Sequence, residues 1–183
     1  MSKLNKANKS KTKVLLHVCC APCAVHPIED LIKEYEVTLF YSNSNISPRE
    51  EYDKRFSFAK KIAEKFNVKL FVDSYDHQEW LDWIKGFENE PEKGKRCEKC
   101  FEFNLNRAAN FAKKNDFDCF TTTLTVSPHK SSKKIFEIGN GTGFFLEKDF
   151  KKKDGFKRSI ELSKKFNLYR QNYCGCEFSK AKD

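Results

Sequence analysis

No apolar run in this 183-residue chain approaches the ~20 residues that a membrane-spanning helix needs. No internal repeat and no low-complexity linker interrupts it, so residues 1–183 read as a single domain, long enough to bury a core without disulfide staples. Methionine is nearly missing: one stands against eighteen phenylalanines, a compositional bias that assigns most of the core to aromatic side chains. A secretory leader is not expected either. Residues 1–13 form a polar, lysine-rich arm, and the apolar stretch behind them (14–18) is too short for a signal-peptide core. Cysteines follow it where small cleavage-site residues would stand. The expected location is cytoplasmic, without membrane partners, where thiols stay reduced and clustered cysteines favour metal or redox chemistry over disulfides.

What the chain has instead is cysteine in groups. Seven of eight cysteines fall in three tight clusters: Cys19, Cys20 and Cys23 behind His17, then Cys97 and Cys100, then Cys174 and Cys176. Clusters so distant in sequence cannot each complete a metal shell, so convergence in space is expected. Seven thiolates overfill one tetrahedral zinc site, which closes with four ligands. They match a four-cysteine iron–sulfur cluster plus a partial thiolate set for a second metal. Net charge is +9, contributed by lysine-heavy segments, and such a surface favours polyanions by counterion release. Lysines that simply solvate helix faces would give the same count.

Hydrophobic periodicity alternates strands with helices. Strands are expected at 14–18, 36–41, 68–72 and 119–124, with a short one at 143–146. Helices are expected after Pro22, after Pro48, over 80–84, from the second cysteine cluster onward, near 132–138 and over 157–166. The Pro48 helix carries the stripe Tyr52, Phe56, Ala59, Ala63 and Phe66, and the fourth carries Phe101, Leu105, Ala108 and Ala112. The tail, 167–183, is irregular and contains the last cysteine pair. This order predicts an α/β domain with a mainly parallel sheet flanked by helices, whose ligands bind beyond the carboxyl ends of the strands. The segments following strands one, two and four are then the site edge.

Each motif admits its own chemistry. Cys19, Cys20 and Cys23 sit at a strand-to-helix turn, where a helix N-terminus stabilises thiolates. Cys97 and Cys100 have the spacing of two thiolates sharing a metal, or of a dithiol redox pair. Gly175 permits the sharp turn between Cys174 and Cys176, which suggests a tail folded back over the site. Cys119, alone in a strand, reads as a core residue, and His17 as a structural neighbour of the site. His129 with Ser127 and Lys130 lies in a site-edge loop suited to substrate contact. Asn43 and Asn45 offer amides for a base or sugar, or simply turn chemistry. Tyr169, Arg170, Gln171 and Tyr173 combine stacking surface with fork-shaped and amide donors, a mix that suits an unstacked nucleotide.

Taken in order, the motifs His-x-Cys-Cys-Ala-Pro-Cys23, Arg96-Cys-x-x-Cys100, Thr122-Thr-Leu-Thr-Val-Ser-Pro128 and Leu168-Tyr-Arg-Gln-Asn-Tyr-Cys-Gly-Cys-Glu-Phe-Ser179 resemble the QueH-type epoxyqueuosine reductases. Asn43-Ser-Asn-Ile-Ser-Pro48 with Glu51, Tyr52 and Arg55 resembles a further family stretch, departing from it at Ser44; Asn104 is a second departure. The resemblance implies a fold related to nucleotide-binding α/β hydrolases. It implies reduction of the epoxide of epoxyqueuosine in a tRNA anticodon loop, a 4Fe–4S cluster beside a mononuclear iron, and an electron donor that no motif names. Counting doublets assigns Cys19, Cys20, Cys97 and Cys100 to the cluster and Cys23, Cys174 and Cys176 to the second iron. His129 is the expected proton donor. Asn43, Asn45, Ser127, Lys130, Tyr169, Arg170, Gln171 and Tyr173 are the expected substrate contacts. Two other classes compete: a zinc-stabilised RNA-binding module without redox activity, and a thiol oxidoreductase working through Cys97 and Cys100 alone.

Overall fold

The computed structural model describes residues 11–180; most of the basic arm expected at 1–13 lies outside them. Four strands form one all-parallel sheet in the order β3-β2-β1-β4: β1 (Lys13–His17), β2 (Glu36–Tyr41), β3 (Lys69–Val72) and β4 (Cys119–Thr122). Val14, Leu15 and Leu16 are all fully buried, the continuous apolar run of a strand covered on both faces. Helices α1 (Ala21–Leu31), α2 (Arg49–Phe66) and α6 (Gly155–Lys165) pack with Val14, Leu16, Val37 and Leu39 on one face. Helices α4 (Lys95–Lys114) and α5 (Ser132–Asn140) pack with Leu15, Phe40 and Phe120 on the other. The short helix α3 (His77–Trp83) lies at the edge against α4. No helix among the described residues is long and apolar enough to cross a membrane.

Local chemistry explains the element ends. Helix α2 opens with Glu50 and Glu51, which complement the helix dipole, and stops at Asn67 in the left-handed region (φ +51°). Helix α3 begins three residues before the apolar periodicity does, because Asp76 caps it by accepting from the Glu79 N–H at 3.0 Å. Strand β4 ends at Thr122, whose hydroxyl accepts the Leu124 N–H and turns the chain into a 3-10 segment, Thr123–Val126. The strand expected at 143–146 is reduced to one bridge, Phe120 to Phe145.

Strand order places the functional edge. From β1 the chain moves to β2 and β3 on one side, while β4 lies on the other side of β1. The carboxyl ends of β1 and β4 therefore flank a topological switch point, where open parallel sheets bind ligands. Behind β1 comes the first cysteine cluster, and behind β4 the Thr123–Lys130 loop. Cys119 sits at the amino end of β4, paired with Val14, and packs against the core away from that edge.

Candidate metal centre

His17, the last residue of β1, knits the switch point together. Its Nε2 lies 3.0 Å from the Ser42 carbonyl and its Nδ1 2.9 Å from the Thr122 hydroxyl, linking the ends of β1, β2 and β4. A carbonyl only accepts, so Nε2 carries the proton and Nδ1 accepts from Thr122. Burial holds the ring neutral, lowering its pKa to about 4. The residue is a structural pin for the site, as its place in a strand suggested.

The chain then turns into α1, and the Cys19, Cys20 and Cys23 sulfurs all lie within 4.8 Å of one another. Among the described residues no other three ligand atoms of His, Cys, Asp or Glu gather so closely. The group could hold a metal ion. Cys19 and Cys20 are 4.0 Å apart, and the Thr123 hydroxyl donates to the Cys19 sulfur at 3.2 Å. Proton sharing divides the three: Cys19 donates to Cys20 and is pushed up to about 12, and Cys23, donating to both, is also raised. Cys20 receives these bonds and is drawn well below the ordinary thiol range.

The other two clusters come to the same place. Gly94 starts α4, so Cys97 and Cys100 occupy its first turns; the Lys93 N–H donates to the Cys97 sulfur at 3.3 Å. Asn104, one turn on, reaches the Cys100 sulfur at 3.5 Å and its carbonyl at 2.9 Å. Cys100 and Cys176 pack with Trp80, Ile84 and Phe103. Burial raises the Cys97, Cys100 and Cys176 thiols, and the neighbouring Cys174 adds to each shift. The tail returns across the sheet edge as the sequence suggested. Gly175 takes φ +145°, and a Cβ there would stand 3.1 Å from Ile46 and 3.2 Å from Arg55.

Between these segments lies a cleft of about 410 Å³. Cys19, Cys23, Cys100 and Cys174 line it, so every cluster contributes a thiol; Cys20 and Cys176 are buried and Cys97 is half-buried. Of the expected substrate-contact and proton-donor residues, Asn43, Asn45, Ser127, His129, Lys130, Arg170, Gln171 and Tyr173 also line it. Tyr169 does not. It faces α2, where its hydroxyl donates to Glu51 at 3.0 Å and its ring stacks under Lys54 at 3.7 Å. Burial would lower the Lys130 pKa, but the sulfurs of Cys174, Cys19, Cys23 and Cys20 outweigh it and hold the ammonium charged.

Sequence reasoning gave no role to Arg55, Asn104 or Thr123. The buried face of α2 runs through Tyr52, Arg55, Ala59 and Ile62, so an arginine on the apolar face was the readable signal for the first. Asn104 and Thr123 are ordinary polar residues whose roles appear only when Cys100 and Cys19 come beside them.

Fold and site together define a parallel α/β protein with a thiol-lined, metal-competent cleft at its switch point. Comparison with known proteins is specific: the sequence model of the family described as Epoxyqueuosine reductase QueH matches residues 14–182. A relative of that name from Streptococcus pyogenes is 36% identical over 98% of this chain and 74% of its own length. Another from Thermotoga maritima is 38% identical over 91% of this chain and 89% of its own, and one from Haemophilus influenzae 37% over 91% and 71%. The chain belongs to this family, and with it to the oxidoreductases of queuosine biosynthesis.

Proposed function

We propose that the protein reduces epoxyqueuosine in the anticodon loop of tRNA to queuosine. Two electrons and two protons are consumed, both carbon–oxygen bonds of the epoxide break, a carbon–carbon double bond forms, and the oxygen leaves as water. The observation that carries the reading is the meeting of all three cysteine clusters at one cleft on the ligand-binding edge of the sheet. Family membership supplies the reaction.

The donor set fits two metal groups, though divided differently from the count of doublets. A single tetrahedral ion with metal–sulfur bonds near 2.3 Å keeps its sulfurs about 3.8 Å apart. Three thiols within 4.8 Å of one another suit such an ion, so we assign Cys19, Cys20 and Cys23 to the second iron. Cys97, Cys100, Cys174 and Cys176 influence one another but contain no triplet that close, which suits the larger span of a 4Fe–4S cluster. When bound, these groups would supply single electrons and a Lewis-acidic position for the epoxide oxygen.

The chain's own residues do the rest. Lys130 keeps an ammonium beside the thiols, where negative charge collects and where the departing oxygen needs a cation. His129, next to it at the exposed cleft wall, is assigned proton delivery. Asn43 and Asn45 are anchored on the floor, Asn43 by a 2.8 Å bond to the Val18 carbonyl and Asn45 by Asn104. Tyr173, Arg170, Gln171 and Ser127 form the polar wall for the nucleotide. The electron donor is a separate partner.

The test is iron, zinc and acid-labile sulfide content with a visible spectrum on anaerobically prepared protein, followed by conversion of epoxyqueuosine tRNA with a chemical reductant. A brown protein with more iron than sulfide that converts the tRNA supports the reading. A colourless, zinc-only protein without conversion overturns it and favours the zinc-stabilised RNA-binding module.

A further inference from the structure

The tail reaches the cleft with little backbone support. Between Phe166 and Cys176 its main-chain bonds to other segments are Asn167 N–H to the Lys164 carbonyl at 3.1 Å, Leu168 N–H to the Ser163 carbonyl at 2.9 Å, and Ser47 N–H to the Gly175 carbonyl at 2.9 Å. The Tyr173 hydroxyl donates to the Ser47 carbonyl at 3.0 Å, and side chains of α2 make the other side-chain bonds to this stretch. Glu51 and Arg55, one helical turn apart, form an ion pair of 2.6 Å, and the Arg55 side chain is 2% exposed. The guanidinium donates to the Cys174 carbonyl at 2.9 Å and the Tyr173 carbonyl at 3.5 Å, and stacks on the Tyr173 ring at 5.0 Å. Glu51, on its other side, accepts from the Tyr169 hydroxyl.

One ion pair therefore holds the tail at two points five residues apart, Tyr169 and Cys174. Arg170, Gln171 and Asn172 between them line the cleft. A buried guanidinium is tolerated only when its donors are paired. Here those partners are tail carbonyls, so burial of Arg55 and seating of the tail require each other. We infer that the Glu51–Arg55 pair is a positioning element that seats the tail on α2, fixing Cys174 and Cys176 at the thiol site. Its consequence for metal retention rests on the function proposed above; the seating itself does not.

The experiment is alkylation of the full chain by iodoacetamide, read cysteine by cysteine by mass spectrometry, on the protein as isolated anaerobically and after chelation. In Arg55→Met, Cys174 and Cys176 are expected to react about tenfold faster than in the wild type, because the tail opens locally. Cys119, at the opposite edge of the sheet, keeps its wild-type rate and reports general loosening. Glu51→Gln preserves shape while removing the charge and gives a smaller increase at the same two cysteines. Arg55→Lys, which restores charge without the fork, falls between. The inference is overturned if Cys174 and Cys176 stay protected in both Arg55→Met and Glu51→Gln, or if Cys119 accelerates in step with them. A protein that proved to bind no iron would still give this readout after chelation.

Discussion

Cys20→Ala and Cys176→Ala test the proposed division of ligands, since the two ways of sharing seven thiols give opposite results. Both substitutions are mild for the fold. Cys20 is buried at the N-cap of α1 and makes no side-chain capping bond, and Cys176 packs in a small apolar cluster with Trp80, Ile84 and Phe103. Each change costs about 1 kcal/mol, so both proteins remain folded and their metal content is readable. With both groups loaded, the wild type should carry about five irons and four labile sulfides per chain. Cys20→Ala leaves two of the three close thiols and is expected to lose about one iron while keeping all the sulfide. Cys176→Ala breaks the four-thiol set and is expected to lose nearly all the sulfide and the visible absorption. The assay is iron and sulfide analysis on anaerobically prepared protein, normalised to the wild type. Sulfide lost in Cys20→Ala but kept in Cys176→Ala refutes the division and restores the pairing of Cys19 and Cys20 with Cys97 and Cys100.

Three other expectations follow from the contacts and the charge of the chain. His17→Leu leaves the Ser42 carbonyl without its donor and should lower stability by about 2 kcal/mol in urea unfolding with an unchanged m-value; a loss under about 0.5 kcal/mol contradicts its role as a pin. Asp73 accepts from Arg107 at 2.5 Å and Ser42 at 2.7 Å; burial would raise its pKa, but these bonds outweigh burial and lower it. Its stabilising contribution is therefore complete above the unfolded pKa near 3.9 and fades as pH falls through the lower folded value, so the acid limb of the stability curve should be shallower in Asp73→Asn. Identical acid limbs would contradict the assignment. With a net charge of +9, tRNA affinity should fall steeply between roughly 50 and 200 mM salt in a filter-binding titration, and a flat response would remove the electrostatic account of RNA binding.

The sheet was legible because its evidence is local. Buried parallel strands read as short apolar runs, and β2 occupies the residues that its pattern marks, Glu36–Tyr41. Convergence of the cysteines was legible for a different reason: seven thiols in three groups have no separate explanation. Features set by tertiary neighbours were not legible. The proximity of Cys19, Cys20 and Cys23 depends on where α1 begins, so counting doublets could not reveal that they form one close group. The outward stacking of Tyr169 depends on Glu51 and Lys54 of α2, and nothing in Tyr169-Arg-Gln-Asn-Tyr173 separates its first tyrosine from its last. The short span of β4 follows from one side-chain bond, Thr122 to Leu124 N–H.

Gathering thiols at one edge of a sheet raises a problem of charge, and the fold meets it locally. The first two cysteine groups find donors within their own neighbourhoods: the Thr123 hydroxyl for Cys19, the Lys93 N–H for Cys97 and the Asn104 amide for Cys100. These donors come from three different segments: Thr123 from the 3-10 segment after β4, Lys93 from the turn before α4 and Asn104 from α4 itself. Thr123 also accepts the Cys19 N–H at 3.0 Å, and Asn104 is fixed by the Cys100 carbonyl. Lys130 is the cation that the thiols of the first and third groups share. Hydrogen bonds to sulfur and a fixed nearby charge are the same features that set the reduction potential of a metal–thiolate centre. The arrangement that makes a thiol-rich cleft tolerable in the folded chain is therefore also what would tune a metal group bound there, and the two roles cannot be separated by mutating the donors alone.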